Sequence, residues 1–214
     1  MKTYKKLLGF VFLLPFIGCS PENDIKISEG TDYKFYEEFK SFTQETEGDE
    51  IAIEGWTNYA QVGSVKWEEG FYSGTKYAEF TSYQSGQPNN VAWLISPPIA
   101  MDADKKEKLA FDVAQAYVSS SSNSIELLLS KDYDGTNVQT ATWTTVTFTK
   151  PPLDYDTNFD FFSSGIIDLG TYTDVLGVPY TGNIYLAFRC KGSGTNSALD
   201  GTYELDNIRI FNQK

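Results

Sequence analysis

Beyond residue 33, hydrophobic and polar positions alternate with a period of two along much of the chain. Leu109, Phe111 and Val113 share one parity; Ile125, Leu127 and Leu129 form a second set, and Ile184, Leu186, Phe188 and Cys190 a third. Successive side chains of a strand point to opposite faces, so each set predicts a strand with one face in a core. The stretches 34–42, 64–72, 76–83, 91–96, 108–118, 124–130, 142–149, 184–191 and 202–211 read as strands, with Gly, Asn and Ser turn signals between them. No stretch holds a helical period for three turns. The pattern predicts an all-β chain, a two-sheet antiparallel β-sandwich of jelly-roll type.

One run departs from alternation. Val91 to Ile95 is nearly all apolar and is stopped at once by Pro97 and Pro98. A short apolar run between breakers reads as a strand buried on both faces, although a buried helix segment has the same pattern. Two residues without an N–H require the strand to leave the sheet there or to lie at its edge. Strands before this run are expected to form one set and strands after it a second.

The last strand breaks parity, with Tyr203 and Leu205 on one phase and Ile208 and Ile210 on the other. A bulge near Asp206 and Asn207 restores the inward face, and Asp206 either caps the bulge or is re-aimed toward a site. Residues 119–123 read as a flexible hairpin loop. Residues 151–162 are too polar for core and too aromatic for a plain loop. They either shield a sheet edge, the better supported reading, or contact a ligand.

The first residues follow other rules. Lys2, Lys5 and Lys6 precede an apolar stretch from Leu7 to Ile17, too short to span a bilayer, and small Gly18 precedes Cys19. Residues 1–18 therefore read as a secretory signal. Phe16-Ile17-Gly18-Cys19 resembles a bacterial lipobox, with Phe where Leu is usual, which makes Cys19 the lipid-modified residue. An unlipidated cysteine after an ordinary signal is the alternative. Residues 19–33 form a polar tether and residues 34–214 a single domain, long enough for one well-buried core. Acids just after the cysteine, Glu22 and Asp24, resemble the export signal of Bacteroidota-type surface lipoproteins.

Charge and composition remove whole classes of function. Formal charge is −12, and loss of residues 1–18, with three lysines and no acid, makes it −15. Such a chain is repelled by phosphate backbones and anionic polysaccharides, so no nucleic-acid partner is expected. There is no histidine, which excludes Ser-His-Asp and Cys-His catalysis and most zinc sites. With Cys19 lipidated, Cys190 has no disulfide partner. A carboxylate-pair glycosidase needs no histidine. No strand, however, reads as carrying closely spaced acids on one face in the Glu-x-Asp-x-x-Glu manner, and Asp102 and Asp104 read as a solvated turn.

Several motifs in order resemble the choice-of-anchor J, or cleaved-adhesin-like, domains. Tyr36-Glu37-Glu38-Phe39, Gly55-Trp56 and Trp67 match their opening, and Ala92-Trp93-Leu94-Ile95-Ser96-Pro97-Pro98-Ile99 their most specific motif. Ser130-Lys131-Asp132-Tyr133-Asp134-Gly135, Trp143, Ile166-Ile167-Asp168-Leu169, Ile184 to Arg189 and Tyr203-Glu204-Leu205-Asp206-Asn207-Ile208 complete the likeness over residues 34–212. The resemblance implies a jelly-roll binding or display module of secreted and surface-anchored proteins in Bacteroidota-type bacteria. It also implies one structural calcium between first and last strands, with Glu37 or Glu38 and Asp206 at the matching positions; solvated carboxylates are the alternative. Asp132 to Gly135 resembles half of a calcium loop and reads better as a turn.

Among the tryptophans, Trp67 and Trp93 fall inside strands and read as core. Trp56 and Trp143 border loops and are the candidates for stacking on sugar rings, with Tyr155 and Tyr172 as further loop aromatics, although packing is favoured for each. The leading expectation is an outward-facing, outer-membrane lipoprotein acting as a non-catalytic module for neutral polysaccharide. A protein-binding adhesin or assembly subunit comes second and a carboxylate-dependent glycoside hydrolase third.

Overall fold

A computed structural model describes residues 31–104, 106–153 and 159–212. Cys19, the signal segment, most of the tether and Tyr155 lie outside the described residues.

Thirteen strands follow in order among the described residues: β1 (Asp32–Glu37), β2 (Thr57–Val62), β3 (Glu68–Tyr72), β4 (Thr75–Thr81), β5 (Asn90–Ile95), β6 (Ile99–Met101) and β7 (Glu107–Ala116). Then come β8 (Ser124–Ser130), β9 (Thr144–Val146), β10 (Phe162–Ser163), β11 (Ile167–Asp168), β12 (Gly182–Gly192) and β13 (Thr202–Asn212). One 3-10 turn among the described residues, Leu169–Thr171, is capped by Asp168, whose Oδ1 accepts from Gly170 N.

All pairings are antiparallel. The first sheet runs β10-β7-β13-β4-β3, with β11 sharing the edge of β7 and β1 the side of β13 beyond β4. The second runs β2-β5-β12-β8-β9, with β6 beside β12. This is the expected sandwich of jelly-roll type.

The Pro97-Pro98 pair acts as the sequence requires. β5 pairs with β12 up to Ile95 opposite Ala187, the chain steps out over the prolines, and β6 rejoins the same strand with Ile99 opposite Ile184. The strand is central and buried, yet it does not divide the sheets. β2 joins the second sheet from the N-terminal half, while β7, β10, β11 and β13 join the first from the C-terminal half. That corrects the expected partition. Because β7 and β8 belong to different sheets, the 117–123 segment is a crossover between layers, not a hairpin.

The bulge in β13 is present. Register with β7 shifts between Asp206 and Arg209, and Asn207 takes a left-handed backbone, φ 51°, which asparagine tolerates. Asp206 caps it, with Asn207 N donating to Oδ1 at 2.7 Å. Leu205, Ile208 and Ile210 all reach the core as a result.

That core fills the space between the sheets. Phe111 meets Phe148 and Phe188 edge-on, each with centroids 5.0 Å apart, and Trp67 lies 5.9 Å from Phe80. Asn58 stitches in the loop before β3: Trp67 N donates to its Oδ1 at 3.0 Å and its amide donates to Trp67 O at 2.7 Å. Residues 159–163 close the edge of β7, where Phe162 pairs with Val113.

Candidate functional site

A second, smaller cluster lies on the outer face of the second sheet. Trp93, Ile95, Leu128 and Ala187 point outward there, opposite in parity to Leu94, Leu127 and Leu186. Residues 131–143 fold back over this face and bring Tyr133, Val138 and Trp143 onto it.

The fold-back is held by its acids. Thr142 N donates to Asp132 Oδ1 at 2.8 Å, and Ser130 Oγ donates to the same oxygen at 2.8 Å. Burial raises the Asp132 carboxyl, and these bonds outweigh it, leaving the group below its ordinary value. Asp134 accepts from the Asn137 amide at 2.9 Å, from Asn137 N at 2.7 Å and from Thr136 N at 2.8 Å, so its carboxyl lies far below the usual range. Asp132 to Gly135 is therefore an irregular part of the fold-back between β8 and β9, its acids bonded within that segment, where a hairpin turn was expected.

Trp143 packs on Trp93 with centroids 5.2 Å apart and on Tyr133 at 5.6 Å, and its Nε1 donates to Val138 O at 2.9 Å. It remains half-buried. Beside it a groove of about 380 Å³ is lined by Tyr59, Thr136, Asn137, Val138, Gln139 and Thr140. None of these side chains is charged. Gln139 Nε2 donates to Tyr59 Oη at 3.1 Å, which fixes the tyrosine ring as one wall. Farther along the face, Arg189 lies over Trp93, 5.0 Å from the ring centre, and is paired with Glu126 at 2.7 Å.

The other expected ligand aromatics lie apart from this groove. Trp56 packs on Phe35 and Phe39, with centroids 5.9 and 6.1 Å away, against the main core. Its neighbour Gly55 has φ +82° and sits where a Cβ would come within 3.1 Å of Pro97, which accounts for glycine there. Tyr172 is half-buried, its Oη accepting from Thr147 N at 3.1 Å. Tyr180 is buried and donates to Leu129 O at 3.1 Å.

The acids expected to hold calcium have other partners. Glu37 Oε1 accepts from Phe39 N at 2.7 Å, and Glu38 takes both the Tyr36 hydroxyl and Lys40. Asp206 faces Asp112 across the β13–β7 register. Burial first, then the charges of Asp112 and Glu38, push its carboxyl up to about 7 against the bond from Asn207 N. Asp112 in turn accepts from Asn207 Nδ2 at 2.8 Å. Among the described residues no group of three or more Asp, Glu, His or Cys side chains is disposed to hold a metal ion.

One feature escaped the sequence reading. Glu204 and Asp206 both lie on the outer face of β13, and Glu204 stands in register with Glu79 on β4, itself opposite Glu68 on β3. Closely spaced acids on one face do occur, then, and mostly across strands. The signal was alternation itself: with Tyr203 and Leu205 inward, Glu204 must face out.

No protein-family model matches the sequence, and no curated protein matches it. Among solved structures, the K2 cleaved adhesin domain of Lys-gingipain superposes with a TM-score of 0.51 at 19% identity, over 84% of this chain and 99% of that one. A second cleaved adhesin domain of Lys-gingipain, from Porphyromonas gingivalis, gives 0.49 at 17% identity over 84% and 98%. The CBM22-1 xylan-binding domain from Paenibacillus barcinonensis gives 0.46 at 14% identity over 88% and 99%. The first of these likenesses shows a cleaved-adhesin-like fold and does not extend to ligand.

Proposed function

We propose that this chain is a non-catalytic binding module for neutral polysaccharide, carried on a lipid-anchored cell-surface protein. The groove beside Tyr59 and Trp143 carries the reading. Amide and hydroxyl groups of Asn137, Gln139, Thr136 and Thr140 supply donors and acceptors, and the Tyr59 ring supplies a flat apolar face. A groove with no charged lining side chain, and with the Asp134 carboxylate held by Thr136 and Asn137 of that lining, suits an uncharged, hydroxyl-rich chain better than a uronic or sulfated one. Anchoring through Cys19 rests on the signal segment and the lipobox-like residues before it.

The test is retention on affinity gels cast with neutral polysaccharides, together with a glycan array. Gln139→Ala and Tyr59→Ala are expected to weaken binding roughly tenfold each, because each removes hydrogen bonds or a stacking face from a solvent-excluded contact. Unchanged retention of both variants would move any glycan site off this groove.

A second reading has its own observation. The turn after the 3-10 segment exposes Val175, Leu176 and Val178, at 71%, 84% and 45%. Three apolar side chains at one loop tip suit a protein partner. A blank array, with a partner interaction lost in Leu176→Asp, would favour that reading.

A further inference from the structure

The outer face of the first sheet carries a row of carboxylates. Glu68, Glu79 and Glu204 are register partners across β3, β4 and β13, and β7 presents only Ala114 opposite Glu204. Neighbouring strands lie about 4.8 Å apart, so like charges stand side by side. Lys66 is taken by Glu50 at 2.6 Å. Glu204 is 3% exposed and makes no hydrogen bond or ion pair among the described residues. It nevertheless lines a cleft of about 650 Å³ together with Tyr72, Tyr77, Phe159 and Phe161. An unpaired buried carboxylate is costly. Here it forms the acidic floor of a cleft whose walls are aromatic.

Those walls are built in advance. The Tyr77 ring occupies the space over Gly70, where a Cβ would come within 2.1 Å of it, and Phe161 meets that ring edge-on at 6.2 Å. Glycine at position 70 is therefore what lets Tyr77 lie flat on the sheet. Tyr72, 76% exposed, stands at the mouth. Among the described residues no basic side chain lines the cleft.

We propose that this cleft binds an organic ammonium group, with the Glu204 carboxylate pairing with its charge and Tyr72, Tyr77 and Phe161 enclosing its carbon-bearing side. Aromatic faces attract cations through their quadrupole, and a carboxylate beneath them completes the recognition of a charged nitrogen carrying carbon substituents. A hard divalent ion wants six to eight oxygens, mostly from carboxylates and carbonyls, and one carboxylate with the hydroxyls of Ser73 and Thr75 among four rings suits it poorly. The site lies on the opposite layer from the glycan groove and does not depend on it.

Isothermal titration of the full chain at pH 8 and matched ionic strength tests the assignment. The probes are choline and butylamine, each set against a neutral counterpart: 3,3-dimethylbutanol and butanol. At least one ammonium is expected to bind roughly tenfold more tightly than its counterpart. The probe that does so identifies whether a quaternary or a primary alkyl ammonium is preferred. Binding should weaken toward pH 5, as Glu204 takes up a proton beside Glu79. Glu204→Gln should remove the preference for the charged member, and Phe161→Leu and the exposed Tyr72→Ala should each weaken binding severalfold. Equal binding of charged and neutral members, wild-type affinity in Glu204→Gln or in both aromatic variants, or a response to calcium alone would overturn it.

Discussion

Replacing Glu204 by Gln is expected to stabilise the protein at pH 8. Burial, and then the charge of Glu79, push the Glu204 carboxyl from 4.5 up to about 8. Between those two values the folded protein binds a proton that the unfolded chain has released, so stability falls as pH rises. The contribution is intact below about pH 4.5 and gone above about pH 8. At 1.36 kcal/mol per pH unit the full loss would be about 5 kcal/mol, and relaxation around the charge brings it to the order of 2 kcal/mol. For a domain of this size that corresponds to roughly 4–8 °C in Tm. With no histidine, no side chain with an ordinary pKa titrates near neutrality. Glu79 and Asp206, both raised to about 7 chiefly by burial, act in the same direction. Thermal melts of wild type and Glu204→Gln at pH 5 and pH 8 give the answer. Wild type should melt lower at pH 8 than at pH 5, and the variant should narrow that gap by melting higher than wild type at pH 8. A wild-type Tm that rises from pH 5 to pH 8, or a variant less stable than wild type at pH 8, would refute the reasoning.

Two further outcomes are expected. Cys19→Ala should move the protein from the membrane to the soluble fraction, and a variant that stays acylated and membrane-bound would remove the lipid anchor from the proposal. If calcium joins Glu37 or Glu38 to Asp206, Tm should be higher in millimolar calcium than in EDTA and the difference should be lost in Asp206→Asn; equal Tm would leave Asp206 as the cap of the bulge alone.

Strands with one face in the core announced themselves, because burial imposes period two. The alternating run 124–130 coincides with β8, and the runs 108–118, 184–191 and 202–211 agree with β7, β12 and β13 to within two residues at each end. The strands that were not read are β2, β6, β10 and β11. Residues 57–62 are at least partly exposed throughout, so β2 shows little contrast between its faces. β6, β10 and β11 span only three or two residues, too few for any period. Strand order was illegible for a different reason. It depends on which strands cross between layers, and alternation is the same whichever sheet receives the strand. Hence the 117–123 crossover looked like a hairpin.

The sites divide along the same physical line. A tryptophan next to a loop looks available in a sequence, yet Trp56 spends its ring on Phe35 and Phe39, contacts from β1 and from the turn after it. Trp143 was a sound candidate for its position, but the wall beside it, Tyr59, comes from β2, which the pattern does not reveal. Glu68, Glu79 and Glu204 are 11 and 125 residues apart along the chain, and each alone reads as an ordinary outward charge on an acidic protein. Only register turns them into a row, and register is fixed by pairings between distant segments. What a sequence of this kind does carry is the parity of each acid. Glu204, flanked by inward Tyr203 and Leu205, had to face out of the sandwich, and a carboxylate that faces out yet is 3% exposed must have something laid over it. Tyr77, Phe159 and Phe161 stand around it, lining the same cleft. Aromatic side chains around a buried acid, with no basic residue sent to pair with it, are the arrangement from which the ammonium site is inferred.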